Sequence, residues 1–276
     1  MVMIFDLHTN KVVAEVGGVD DGHGVLSVPD VNRIYASAGT SNEVVAIDEQ
    51  TLQVVSRIHV GQTPDGMAYD PVEHRLYVSD ETGEDEAVID VQTDTLLTRI
   101  PLKSAVGNTQ YDATTDTIYV NVEDGNALGV IDPKINTLVA IHPLTGCVQN
   151  HGMSIDPINR LIFIACVGSD AKKPGTLVEV DMKTWKVVDT ATIGAGPDVL
   201  ALDEGRRLLY VASESGTVSI FVEQGLTAHK LTEGYVATHA HTVGVDQRTH
   251  TVYLLLEDLG GSPTLRIVQF TPASGA

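Results

Sequence analysis

Three histidines and two aspartates occupy one position of a recurring hairpin: His23, Asp65, His151, Asp198 and His241, with Gly107 in the remaining copy. Neutral imidazole nitrogens and carboxylate oxygens are ligands for divalent transition ions, and the same groups hold and pass protons near neutral pH. Such chemistry requires residues about 43 positions apart in sequence to meet in space. The question is therefore which elements could bring them together.

The six copies align without gaps over their core. They read HGVLSVPDVNRIYAS, DGMAYDPVEHRLYVS, GNTQYDATTDTIYVN, HGMSIDPINRLIFIA, DVLALDEGRRLLYVA and HTVGVDQRTHTVYLL, spaced by 42, 42, 44, 47 and 43 residues. A fixed period near 40 marks a solenoid, a propeller or an array. Each copy alternates, turns (at Asp70-Pro71 and Asp156-Pro157, for example) and continues as an apolar run centred on Tyr35, Tyr77, Tyr119, Phe163, Tyr210 or Tyr253, which is a β-hairpin pattern. A third and a fourth strand follow, and Asp6, Asp48, Asp90, Asp132 and Asp181 mark the end of the third. Four short strands per repeat predict the blade of an all-β propeller. No amphipathic helical stretch supports a helical repeat, and the Trp-Asp ending of WD40 blades is absent.

The run Pro64-Asp65-Gly66-Met67-Ala68, then Arg75-Leu76-Tyr77-Val78-Ser79 and Val88-Ile89-Asp90, resembles the YVTN-repeat β-propeller family, the YncE-like group. The resemblance covers nearly the whole chain, with its best matches over Thr63 to Ser79 and Val44 to Ile58. It implies a scaffold more than an activity. It also implies a seven-bladed, exported protein, placed in the periplasm or secreted. Residues 1 to 276 read as a single propeller domain. Residues 1–17 match only the last half of a blade, and full repeats begin near 22, 64, 106, 150, 197 and 240. The favoured expectation is a seven-blade propeller incomplete at its N-terminus; the alternative is closure as six blades with Lys11 to Val16 as the final strand. Residues 1 to 7 already read as a strand, so no signal peptide is expected ahead of them.

In a propeller the innermost strand of each blade lines the central channel. The column residues stand at the start of that strand and are expected at the channel mouth. His23, His151 and His241 would then converge as ligands of zinc, copper or iron. Asp65 and Asp198 would supply a fourth ligand, orient a histidine, or act as general base in an enzyme. His239 lies two residues before His241, and alternation along an extended chain predicts that both face one side. Sixteen residues after each column position stand Gly39, Glu81, Glu123, Val167, Glu214 and Glu257. Antiparallel return of the hairpin would set the four glutamates on the same rim, where one sign of charge concentrates cations. The competing expectation is a solvated polar rim with no ligand. His8, His59, His74, His142, His229 and His250 fall in turns or outer strands and read as surface residues.

The chain carries 37 acidic and 17 basic residues, a formal charge of −20, which disfavours nucleic acid and anionic membranes as partners. No run of 18 apolar residues predicts a membrane span. Cys147 and Cys166 flank the turn at Asp156-Pro157, and antiparallel pairing would set them side by side. A disulfide, two buried thiols, or a thiolate metal ligand from Cys166 are the readings. No hydrolase elbow, metalloprotease, P-loop or dinucleotide motif appears. Three functions remain: a binding or interaction propeller with a metal, small-molecule or protein partner, a metal-dependent lactonase-like hydrolase or lyase, and a metal carrier.

Overall fold

The computed structural model describes residues 1–257 and 259–270. Among them the chain is built from β-strands, with one short 3-10 turn at Pro29–Val31. It divides into two compact units, residues 1–141 and 142–276. Every sheet is an antiparallel meander.

In the first unit, β1 (Val2–Asp6) and β2 (Lys11–Val16) form a two-stranded sheet. The next sheet holds β3 (Val25–Val28), β4 (Arg33–Ala38), β5 (Glu43–Asp48) and β6 (Val54–His59). Then come β7 (Pro64–Asp70), β8 (Arg75–Asp80), β9 (Asp85–Asp90) and β10 (Thr95–Pro101). The fourth sheet holds β11 (Val106–Asp112), β12 (Thr117–Val122), β13 (Ala127–Asp132) and β14 (Thr137–Pro143), and the unit boundary crosses its last strand.

In the second unit, β15 (Asn150–Asp156), β16 (Leu161–Cys166), β17 (Pro174–Asp181) and β18 (Lys186–Ala195) make one sheet. β19 (Pro197–Asp203), β20 (Leu208–Ser213), β21 (Thr217–Gln224) and β22 (Thr227–Tyr235) make the next. β23 (Thr242–Asp246), β24 (Thr251–Leu256) and β25 (Thr264–Val268) make a three-stranded sheet. The order matches the repeat: five four-stranded blades, with two strands before them and three after. The fold is a β-propeller.

The recurring aspartates act locally. At the end of the third strand, Asp48 accepts backbone N–H groups of Gln50 and Thr51, and Asp90 those of Gln92 and Thr93. At the end of the first strand, Asp70 does the same for Val72 and Glu73, and Asp246 for Arg248 and Thr249. These Asx turns explain both beats of Asp in the sequence.

The middle strands are apolar on both sides because neighbouring sheets within a unit pack face to face, so that the sheets of β3–β6, β7–β10 and β19–β22 are covered twice. Leu76, Val78 and Ile89 pack on Tyr35, Val44 and Ala46 of the preceding sheet, and Tyr77 and Val88 pack on Ile118 and Val120 of the following one. In the second unit Phe163 and Leu177 meet Leu209 and Phe221, and Tyr210 and Leu208 meet Val252 and Leu254. The β1–β2 sheet covers the outer face of its neighbour through Val16, against Ala36 and Val45. Two tyrosines add polar latches: the Tyr35 hydroxyl donates to Asp94 at 2.6 Å, and that of Tyr77 to Asn136 at 2.6 Å.

Cys147 and Cys166 form a disulfide with their Cα atoms 5.4 Å apart, so the expectation of a bond is met and Cys166 is not a thiolate ligand. The bond closes a loop whose loss costs roughly 3 kcal/mol in the chain-entropy account.

Among the described residues three glutamate side chains are buried inside sheets. Burial raises Glu179 to about 7, against the opposing hydrogen bond from the Ala228 N–H at 2.9 Å. Burial, and then the charge of Asp156, raises Glu223 to about 8. Arg207 Nη2 lies 2.8 Å from Asp156 and 2.8 Å from Glu223, so one cation serves two acids, and the proton stays on Glu223. Burial also raises Glu86 well above the ordinary range. A carboxyl raised in this way binds its proton more tightly when folded. Its contribution is complete below the ordinary glutamate pKa and is lost as pH rises through 7 and 8. Urea unfolding should therefore show stability falling between about pH 4.5 and pH 8, by up to about 1.4 kcal/mol per pH unit for each proton released. Glu223→Gln should flatten the alkaline part of that profile.

Candidate functional site

The column residues sit where the first strand of a blade leaves its ladder. In β7 the pairing jumps from Pro64 to Met67, in β11 from Val106 to Thr109, in β15 from Asn150 to Met153 and in β19 from Pro197 to Leu200. Asp65, Gly107, His151 and Asp198 thus lie in β-bulges, which release a side chain from the sheet's alternation and re-aim it. His23 precedes β3 and His241 precedes β23, also outside the ladder.

Two residues earlier the chain is held by a second recurring contact. The N–H groups of Gly39, Glu81, Glu123, Val167 and Glu214 donate to the carbonyls of Asp21, Thr63, Ala105, Gln149 and Gly196, at 2.7 to 3.1 Å. The expected return of the sixteenth residue to the same rim therefore holds in five copies. Asp21, Thr63, Gln149, Gly196 and His239 occupy this position with φ between 52° and 59°. His239 is therefore not part of an extended strand, as alternation had implied, but in a left-handed turn.

Successive blades touch at the residue after the column. A Cβ on Gly24 would lie 2.6 Å from the Asp65 carbonyl oxygen, and one on Gly152 would lie 1.6 Å from that of Asp198. The Val199 N–H donates to the His241 carbonyl at 3.2 Å. These backbone contacts set how near neighbouring column side chains come.

In the second unit they come very near. Asp198 lies between two imidazoles: its Oδ1 is 3.2 Å from His151 Nε2, and its Oδ2 accepts from His241 Nδ1 at 2.6 Å. His241 Nδ1 is also 2.9 Å from Glu214 Oε1, and its Nε2 is 3.9 Å from Glu257. His239 Nδ1 meets the other Glu214 oxygen at 2.7 Å. His239 and His241 thus do face one side, through the turn rather than through a strand. Burial alone would raise Asp198, but the hydrogen bonds from His151 and His241 outweigh it and hold its carboxyl well below the usual range. The hydrogen bond to Asp198 raises His241 against the effect of its burial, and the one to Glu214 raises the exposed His239. Among the described residues, ligand-capable atoms of Asp198, Glu214 and His241 lie within 4.8 Å of one another.

In the first unit His23 Nε2 is 3.5 Å from Asp21 Oδ2, a partner that no repeat pattern marks. Asp65 sits in its bulge, and Glu81 and Glu123 hold the backbone contacts above. Sequence reasoning also passed over Gly24, Gly66 and Gly152. Their recurrence directly after the column was the legible sign of close backbone approach.

The disulfide bears on the site through chain geometry. Cys166 stands opposite Asn150, the residue before His151, and Gly168 and Val167 donate to the carbonyls of Val148 and Gln149. The segment entering β15 is therefore fastened at three points immediately before the histidine. Of the histidines expected at the surface, His250 donates its Nδ1–H to Asp203 at 2.8 Å, and His142 stacks on Trp185 with ring centroids 4.1 Å apart.

No family model matches this sequence, and no curated protein matches it. Solved structures do match in shape. A chain of the Mitotic Checkpoint Complex superposes with a TM-score of 0.80 at 11% identity, covering 97% of this chain and 81% of that one. A candidate 6-phosphogluconolactonase from Bacteroides uniformis gives 0.78 at 12% identity, covering 99% and 88%. A functionally unknown protein from Desulfotomaculum acetoxidans gives 0.73 at 12% identity, covering 97% and 95%. At these identities the likeness extends to the fold alone.

Gly152→Ala should destabilise the protein by about 1–3 kcal/mol or more, since its Cβ has no room against the Asp198 backbone. Asp198→Asn should instead leave the fold intact and lower the pKa of His241 in a proton NMR titration; an unmoved His241 would show that Asp198 does not hold it.

Proposed function

We propose that the chain is a β-propeller binding module whose second unit carries a site for a divalent transition metal, held by Asp198, Glu214 and His241 with His151 beside them. The observation that carries this reading is the sharing of one imidazole nitrogen, His241 Nδ1, by two carboxylates at 2.6 and 2.9 Å. One imidazole and two carboxylates form a donor set suited to zinc or iron, and a further histidine would favour copper as well. For an ion to bind, His241 must release the proton that the carboxylates now stabilise. His151 and Glu257 then supply an additional ligand or orient the others. His23, Asp65, Glu81 and Glu123 of the first unit extend the same reading as a cation-attracting surface, in keeping with the charge of −20.

The repeat's resemblance to YVTN propellers supports a scaffold role, with a small molecule, a metal ion or a protein as the bound partner and nucleic acid disfavoured. The Cys147–Cys166 bond supports an oxidising location such as the periplasm or the cell exterior.

A second reading, a lactonase-like hydrolase, draws on Asp198. A carboxylate held ionised between two histidines is suited to act as general base, and a bound metal would polarise a carbonyl. The Bacteroides uniformis neighbour shares only the fold with this chain, so its name adds context and no residue role.

Elemental analysis after incubation with zinc, copper and iron tests the first reading. About one equivalent of metal is expected in the parent protein and none in His241→Ala with unchanged circular dichroism. Metal retained in His241→Ala, or none in the parent, would overturn it. Turnover of simple lactones by the loaded protein, lost in Asp198→Asn with metal still bound, would select the second reading.

A further inference from the structure

The turn between the first and second strands of a blade repeats one backbone shape, with its last residue in the left-handed region. Asp116, Arg207 and His250 stand there with φ of 51°, 58° and 57°. In the second unit this residue reaches back to the aspartate that ends the first strand of the preceding sheet. Arg207 donates to both oxygens of Asp156, at 3.3 and 2.8 Å, and His250 donates to Asp203 at 2.8 Å. Both aspartates are fully buried, so each is met by a basic side chain from the next sheet.

In the first unit the same two positions hold Asp70, at the end of β7, and Asp116, in the turn after β11. An acid stands where the second unit has a base. Asp70 is fully buried. Its Oδ1 accepts the N–H groups of Val72 and Glu73 at 2.8 and 3.3 Å, while its Oδ2 has no hydrogen-bond partner among the described residues. Burial raises the Asp70 pKa against those two hydrogen bonds, and the charge of Asp116 raises it further. Asp116 Oδ1 accepts from the Tyr111 hydroxyl at 3.1 Å. Burial raises the Tyr111 pKa, and the charge of Asp70 adds to this ahead of the bond to Asp116. Asp70, Asp116 and Tyr111 therefore surround one spot. Lys134 is largely exposed and touches the outer system through Asp116 Oδ2 at 3.1 Å, which leaves Asp70 Oδ2 unserved. A buried carboxylate oxygen with no donor, beside a second carboxylate, marks the place of a positive group.

We propose that a calcium ion binds between Asp70 Oδ2 and Asp116, with the Tyr111 hydroxyl and water completing its oxygen shell. It supplies in the first unit the positive charge that Arg207 and His250 supply in the second. The donors are all oxygen, which selects a hard cation over zinc or copper. Calcium fits better than magnesium because Asp70 is fixed by its turn and Asp116 by its left-handed backbone, and calcium accepts irregular geometry where magnesium demands an octahedron. The site is separate from the cluster around Asp198 and does not depend on the reading given to that cluster.

The test is thermal unfolding of the full chain, disulfide intact, in chelator and then with about 5 mM calcium, beside a calorimetric calcium titration. For a Kd near 0.1 mM the ion should raise the Tm of the parent by about 5 °C. Asp70→Asn and Asp116→Asn should each lose most of that rise and bind calcium at least about tenfold more weakly. Both variants should fold in chelator: an amide oxygen at 70 still accepts from Val72 and Glu73, and asparagine suits the left-handed turn at 116. His241→Ala should keep the full rise. No calcium-dependent rise in the parent would overturn the proposal, as would a rise retained in both asparagine variants. A rise abolished by His241→Ala would place the ion in the second unit and overturn it equally.

Discussion

The constraint on which everything else rests is that a four-stranded sheet with two apolar faces cannot stand alone. Val44, Ala46, Leu76, Val88 and Leu209 are fully buried because other sheets of the same unit lie against both faces of theirs. That demand fixes the spacing between sheets, and the spacing brings the start of one inner strand against the next. Gly152 under the Asp198 carbonyl and Gly24 under that of Asp65 are the points of tightest approach. The polar cluster of the second unit is thus a by-product of apolar packing: the core sets the distance, and bulges at that distance turn His151 and Asp198 out of their ladders.

Much of this was legible in the sequence. The period gave the blades, the aspartates gave the turns, and the column gave His151, Asp198 and His241, which meet. Glu214 and Glu257 were legible because antiparallel hairpins return at a fixed offset. The cysteine pair was readable as neighbours across a hairpin, though not as oxidised. What stayed hidden depends on backbone conformation with no residue signature. The left-handed position two residues before the column is filled by Asp, Thr, Gln, Gly and His in different copies. His239 consequently read as strand, and Asp21 could not be matched to His23. The buried glutamates were equally opaque: Glu86, Glu179 and Glu223 fall at different strand positions and read as ordinary polar residues.

The electrostatics of the two units' interiors and of the site run in opposite directions. Inside the sheets, carboxyl groups lacking a full set of donors keep their protons, as with Glu223 beside an Asp156 that Arg207 already serves. At the site, Asp198 has donors on both oxygens and remains ionised while the imidazoles gain affinity for protons. The difference is one of available N–H groups rather than of depth, and it separates acids that hold a fold from acids that can engage a ligand.

The turn that carries His239 accepts five side-chain chemistries on one backbone shape. A position of this kind lets lineages rewrite what faces a neighbouring rim by single codon changes, copy by copy, without disturbing the blade beneath. A repeat protein built this way evolves like a keyboard with fixed keys and exchangeable lettering, so distant members with one architecture need share no common ligand.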